Sequence, residues 1–160
     1  MKLSLLKRIQ RLQTGRVCLV GVGNLDDGDD GFGVVLAEEL ELAGVPNVVI
    51  GETTPERFLG LLPCFDHAIF LAAVDFEGAP GTVVLLDAVE MAQRFPQVST
   101  QVFSLGLLAK MAEANGRTKA WLLAAQPEQV GAGKELSPTL QRTLIGLKGL
   151  LTRPAEDTPQ

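Results

Sequence analysis

The sequence predicts a three-layer α/β/α sandwich on a mostly parallel, twisted sheet of about five strands. Three observations predict it. Short, continuous apolar runs alternate along the chain with segments whose apolar residues recur at helical spacing. The first run, Val17-Cys18-Leu19-Val20, passes through a Gly-rich turn into the helix-patterned Val34-Val35-Leu36-Ala37-Glu38-Glu39-Leu40, the opening of a βαβ unit. The chain has 160 residues, 46% of them hydrophobic, which is one domain with a sizeable core.

Taken in order, residues 2–13 place Leu3, Leu5, Leu6, Ile9 and Leu12 near one side of a helix, with the basic residues largely elsewhere. Docking on the acidic body is the ordinary reading of this helix; contact with a membrane or a partner is the other. The first strand and helix follow, then a break at Gly44-Val45-Pro46 and a short strand at 47–50. Residues 55–62 carry Pro at a helical first turn and read as a short helix ending at Pro63. The unbroken apolar character of 67–74 marks a buried strand. A loop at 75–81 leads to a strand at 82–86 and a helix at 88–95. A polar stretch at 97–101 precedes a helix over 102–115, stopped by Gly116. A fifth strand at 119–125, a long loop at 126–135 and a last helix at 137–151 complete the body, with Ser137 as cap and Pro138 at the first position. The chain therefore divides into a basic amphipathic helix at 1–15, an α/β domain at 16–152 and a tail at 153–160.

Charge narrows the partners. Formal net charge is −5, yet five of the 14 Lys and Arg residues fall in residues 1–16, which hold no acid, leaving 9 basic against 19 acidic side chains in the other 144 residues. So acidic a body disfavours nucleic acid and suits a cation or a basic peptide. No apolar run reaches the length of a membrane span and no signal-peptide pattern opens the chain, so a cytoplasmic location is the default expectation. The two cysteines, Cys18 and Cys64, have no paired spacing and read as small buried hydrophobes.

Loops at the strand ends should gather on one edge of the sheet: 24–30, 51–54, 75–81 and 97–101. The first holds Asp26, Asp27, Asp29 and Asp30. Such a cluster would repel a pyrophosphate, so a dinucleotide site is disfavoured despite Gly21 and Gly23. It suits a cation or a basic peptide; alternatively Asp29 or Asp30 simply caps the following helix. Asn24 and Gly23 read as turn formers. Glu52, Thr53 and Thr54 line either a groove or a solvated turn. Trp121 packs in the core or beneath the N-terminal helix, and His67 is a surface or strand-start residue rather than a ligand.

Gly21-Val22-Gly23-Asn24, Asp29-Asp30-Gly31-Phe32-Gly33, Val74-Asp75-Phe76, Ala79-Pro80-Gly81-Thr82, Ser104-Leu105 and Leu136-Ser137-Pro138-Thr139 occur in this order across nearly the whole domain. In that series the chain resembles the hydrogenase maturation proteases, endopeptidases that trim the C-terminal extension from the large-subunit precursor of nickel-iron hydrogenases. The resemblance implies a metal position where two carboxylates and a histidine converge, reading nickel already installed in the precursor. The first carboxylate is Asp30. The second position is Ala72, in Leu71-Ala72-Ala73-Val74-Asp75, and the histidine position, after Ser99-Thr100, is Gln101. A methyl group binds no metal, and an amide is a poor exchange for imidazole.

Asp75 is the tentative substitute ligand. On a regular strand it would face away from Ala72, but a loop beyond the strand end could turn it inward. Asn24, Asp29 and Gln101 are the residues expected to contact substrate. Nickel would arrive with the precursor and none would be held tightly. Two functions follow from the resemblance. One is a peptidase, impaired or altered, acting on the precursor. The other is a non-catalytic assembly chaperone or scaffold that keeps the precursor-binding surface, with the N-terminal helix as a further contact for a partner.

Overall fold

The computed structural model describes residues 3–94, 105–128, 133 and 135–152. Five strands, β1 (Val17–Val22), β2 (Val48–Glu52), β3 (His67–Ala73), β4 (Val83–Asp87) and β5 (Lys119–Ala125), form one sheet in the order β2-β1-β3-β5-β4. Strands β2, β1, β3 and β5 run parallel; β4 runs antiparallel to β5 at the edge. Chain connectivity dictates that exception. After β3 the chain forms no helix, so it stays at the carboxyl edge of the sheet and the next strand must run back down.

Alternation along each strand sorts the apolar residues into two layers. Leu19, Ile69, Leu71 and Leu123 face α1 (Leu3–Leu12), α2 (Phe32–Leu42) and α5 (Pro138–Leu151), packing with Ile9, Phe32, Leu36, Leu40, Leu140 and Leu147. Val20, Phe70, Ala72 and Leu122 face the other way, onto a 3-10 helix (Pro55–Cys64), α3 (Ala88–Arg94) and α4 (Leu105–Glu113), where they meet Leu62, Met91 and Leu108. The sheet is thus covered on both faces, as the sequence implies.

Helix α1 spends its apolar stripe on the body. Leu5, Ile9 and Leu12 are buried in the first layer, at about 2 kcal/mol per side chain. Lifting the helix away would cost several kcal/mol on the same scale, so the stripe is not offered to a membrane or partner in this state.

Two expectations are corrected. The segment expected to be a short helix ending at Pro63 is a 3-10 helix that runs through Pro63 to Cys64. Gly60 weakens α-helix propensity, and Pro63 lacks the N–H and clashes with the preceding turn, which favours the tighter form. Cys64 is consequently exposed on the last turn rather than buried. Cys18 is buried as expected, and burial pushes its thiol up to about 11.

At the amino edge of the sheet, His67 pairs in register with Val17 and Lys119. Its Nδ1 accepts a hydrogen bond from Trp121 Nε1–H at 3.1 Å. Burial holds His67 below its ordinary pKa of 6.5, partly offset by the Asp66 carboxylate and reinforced by Lys119. The folded state therefore binds this proton less well than the unfolded chain. The contribution to stability is whole above about pH 6.5, the unfolded value, and is lost as pH falls from there through the lower folded-state value. Urea midpoints should decline between pH 7 and 5, and His67→Phe should flatten that decline while lowering the plateau by about 1 kcal/mol for the lost hydrogen bond. An unchanged pH profile in His67→Phe would refute the assignment.

Candidate active site between the ends of strands β1 and β3

Strand β1 sits between β2 and β3, and the elements that follow β1 and β2 cover opposite faces of the sheet. The order therefore switches at the β1/β3 pair, and in an open α/β sheet that switch opens a crevice beyond the carboxyl ends of the two strands. By that rule the loop at 23–31, which follows β1, is one wall and the loop at 74–82, which follows β3, is the other.

Two glycines set the first wall. A side chain at Gly33 would land on the Leu71 carbonyl oxygen and within 2.6 Å of the Val22 carbonyl oxygen, so α2 begins directly against the ends of both strands. Gly23, at φ +143°, lies against the Asp30 carbonyl, and its N–H donates to the Glu52 carbonyl at 2.9 Å. Glu52 itself takes φ +52° at the end of β2 and is exposed with Thr53 and Thr54.

The four carboxylates of this loop do not form one surface. Asp26 is exposed and Asp27 half-buried, whereas Asp29 and Asp30 are 0% and 7% exposed. Asp30 Oδ2 accepts the Asn24 N–H at 3.2 Å. The Asn24 side chain accepts from Asp26 N–H at 2.9 Å and donates to Asp27 Oδ2 at 3.1 Å. Asn24 thus shapes the turn, the plainer of its two readings.

Asp29 is spent elsewhere. Its Oδ1 accepts the Ser137 N–H at 2.7 Å, and its Oδ2 accepts the Ser137 Oγ–H at 2.8 Å and the Glu128 N–H at 2.9 Å. Ser137 is the N-cap of α5, its Oγ accepting from Leu140 N–H. Asp29 therefore serves a helix start 108 residues away, while the N-cap of α2 is Gly31, which has no side chain to cap with. The expectation that Asp29 contacts substrate meets a carboxylate enclosed in the protein.

On the second wall, Ala72 is buried on the face of β3 that packs toward α4, opposite Ala124. Asp75 stands exposed beyond the strand end. Its Oδ1 accepts Glu77 N–H at 2.9 Å and Gln126 Nε2–H at 3.0 Å. Those two bonds, against a small cost of desolvation, hold its carboxyl below the usual range. Gln126 Oε1 in turn accepts Phe76 N–H at 2.9 Å and Gly78 N–H at 3.0 Å. Gln126 was not singled out from sequence, although an amide placed directly after the apolar run 119–125 is the signal that marks it.

Gln101, with Ser99 and Thr100, lies outside the described residues. His67 is at the opposite end of β3 from Ala72. Among the described residues no group of three or more His, Cys, Asp or Glu could hold a metal ion, and no helix is long and apolar enough to cross a membrane.

No family model matches the chain. Over 80 residues, 47% of this chain, it is 34% identical to a Methanocaldococcus jannaschii protein provisionally named a hydrogenase maturation protease; the match spans about half, 52%, of that relative. Among solved structures it is similar to the nickel-iron hydrogenase maturation protease HycI of Thermococcus kodakarensis, with a TM-score of 0.77 and 26% identity over 90% of this chain and 96% of that one. The hydrogenase maturating endopeptidase HybD of Escherichia coli gives a TM-score of 0.69 and 26% identity, covering 84% of this chain and 88% of that one. The shared architecture over nearly the full length, joined to the glycine-bounded acidic loop that follows β1, leads to one conclusion: the chain has the fold of the hydrogenase maturation proteases and is similar to them in sequence over about half its length.

Proposed function

We propose that this chain is a cytoplasmic maturation protein that engages the large-subunit precursor of a nickel-iron hydrogenase, with peptidase activity impaired or altered. One observation carries the reading: Asp30 is buried in the loop that follows β1, while near the end of the neighbouring strand β3 the matching position holds only the buried methyl group of Ala72. A single carboxylate opposite a methyl does not fit a resident nickel or zinc, each of which takes several protein donors. Nickel is therefore part of the substrate in this reading.

Asp30 supplies one anionic oxygen toward that substrate-borne nickel, already oriented by the Asn24 N–H. With Gln101 in place of an imidazole and Ala72 in place of a carboxylate, polarisation of the scissile carbonyl and activation of water both weaken. Asp75 contributes only by giving up its bonds to Glu77 N–H and Gln126, so we assign it to its own loop.

The test mixes purified protein with nickel-loaded precursor from the same cell and follows the precursor's mass and its co-elution. Co-elution that Asp30→Ala weakens, with slow or no loss of the C-terminal extension, is the expected result. The absence of both co-elution and cleavage would rule out the precursor as a partner.

A further inference from the structure

Both walls of the crevice are tied to one connection, the described residues that lead from β5 into α5. On the first wall, Asp29 grips Glu128 N–H and both donors of Ser137. Gly133 adds a second tie, its carbonyl accepting Gly28 N–H at 2.7 Å and its N–H donating to the Asp26 carbonyl at 3.2 Å. On the second wall, Gln126 holds Phe76 N–H, Gly78 N–H and Asp75 with its side chain. Its backbone accepts Gly81 N–H at 2.9 Å and donates to the Thr82 carbonyl at 2.8 Å. The first turns of α5 reach the same loop, Thr143 Oγ1 donating to the Gly81 carbonyl at 3.0 Å. Asp29 and Gln126 are both buried, at 0% and 7% exposure.

We propose that Asp29 and Gln126 are positioning residues that lock the two crevice walls to the start of α5 as one unit, so that Asp30 and the end of β3 keep a fixed separation. The inference rests on the reading of this crevice as the precursor site. Chemistry favours a carboxylate at 29: two backbone N–H groups and a hydroxyl converge on it, and charge-assisted hydrogen bonds are the strong ones. An amide would turn its own NH2 toward those donors. Gln126 is complementary in the opposite sense, because only an amide can accept two N–H groups and donate to Asp75.

Amide hydrogen exchange on the full chain reads the loops without any substrate. Asp29→Asn and Ser137→Ala should speed exchange at Asn24 and Gly28 by about tenfold or more while the Leu71 and Leu123 amides of the sheet stay protected. Gln126→Leu should loosen Phe76 and Gly78 and, because the walls are locked together, Gly28 as well. Capture of nickel-loaded precursor should weaken in step with the loosened loops, and Ser137→Thr, which keeps both donors, should restore loop protection and capture together.

Loosening confined to the mutated wall would overturn the proposal. So would sheet amides that speed up equally, which would make these residues general stabilisers, or capture that is unchanged once the loops are loose. Should Asp29→Asn fail to fold, Ser137→Ala and Gln126→Leu carry the same test. If the exchange results hold but the wild type neither captures nor trims precursor, the mechanical role of Asp29 and Gln126 stands and the reading of the crevice falls.

Discussion

Gly33→Ala should unfold the protein or bring it close, at a cost of about 3 kcal/mol or more. By helix propensity alone the change is favourable by about 1 kcal/mol, since Gly33 lies in the first turn of α2. The obstacle is backbone. The added methyl would fall on the Leu71 carbonyl oxygen and within 2.6 Å of that of Val22, the ends of two central strands that have no rotamer to change. Gly149→Ala is the control of opposite sign, because a side chain there meets nothing within 4 Å on the exposed side of α5. It should stabilise by about 0.5 kcal/mol. Urea denaturation followed by far-UV circular dichroism separates the two, and a Gly33→Ala variant as stable as wild type would show that α2 can slide on the sheet.

Asp29→Ala carries the second large effect, about 3 kcal/mol. Hydrogen bonds to a charged group contribute about 1.5–3 kcal/mol, and the buried donors of Ser137 would be left unpaired. Asp26→Ala, only three residues away on an exposed turn, should move stability by no more than about 0.5 kcal/mol. Four neighbouring carboxylates thus divide by burial rather than by type. Equal effects from Asp26 and Asp29 in the same denaturation series would contradict the hydrogen-bond assignment.

What could be read from sequence was what short-range periodicity encodes. The apolar runs at 17–20, 67–74 and 119–125 became β1, β3 and β5, and Ser137-Pro138 marked the start of α5 correctly because cap and first-turn chemistry are local. Asp29 was harder, since its partner lies 108 residues away and the turn and capping explanations are both local ones. Gln126 was passed over as loop because its three partners belong to a different segment. Gly33 read as the last residue of the Gly-rich turn, whereas it sits in the first turn of α2, where a side chain would meet the ends of two strands. Cys64 was expected to be buried as a small apolar residue, yet it lies exposed on the last turn of a 3-10 helix from which Leu62 turns inward and Leu61 does not. The antiparallel β4 required knowing that no helix intervenes after β3. Asp30 and Ala72 came from the family resemblance alone; Asp30 lies in the 3-10 helix that follows β1 and Ala72 near the end of β3.

The central claim is that this crevice acts on the precursor with an incomplete ligand set, and restoring that set tests it most directly. Removal of the C-terminal extension from nickel-loaded precursor should be timed by mass for the wild type, for Asp30→Ala and for the double variant Ala72→Asp with Gln101→His. Losing a mere supporting partner of a metal ligand costs about 10–100-fold, so restoring two ligands should speed trimming by at least about tenfold, with Asp30→Ala inactive. A wild type that already trims as fast as the double variant, or trimming that survives Asp30→Ala, would contradict the account.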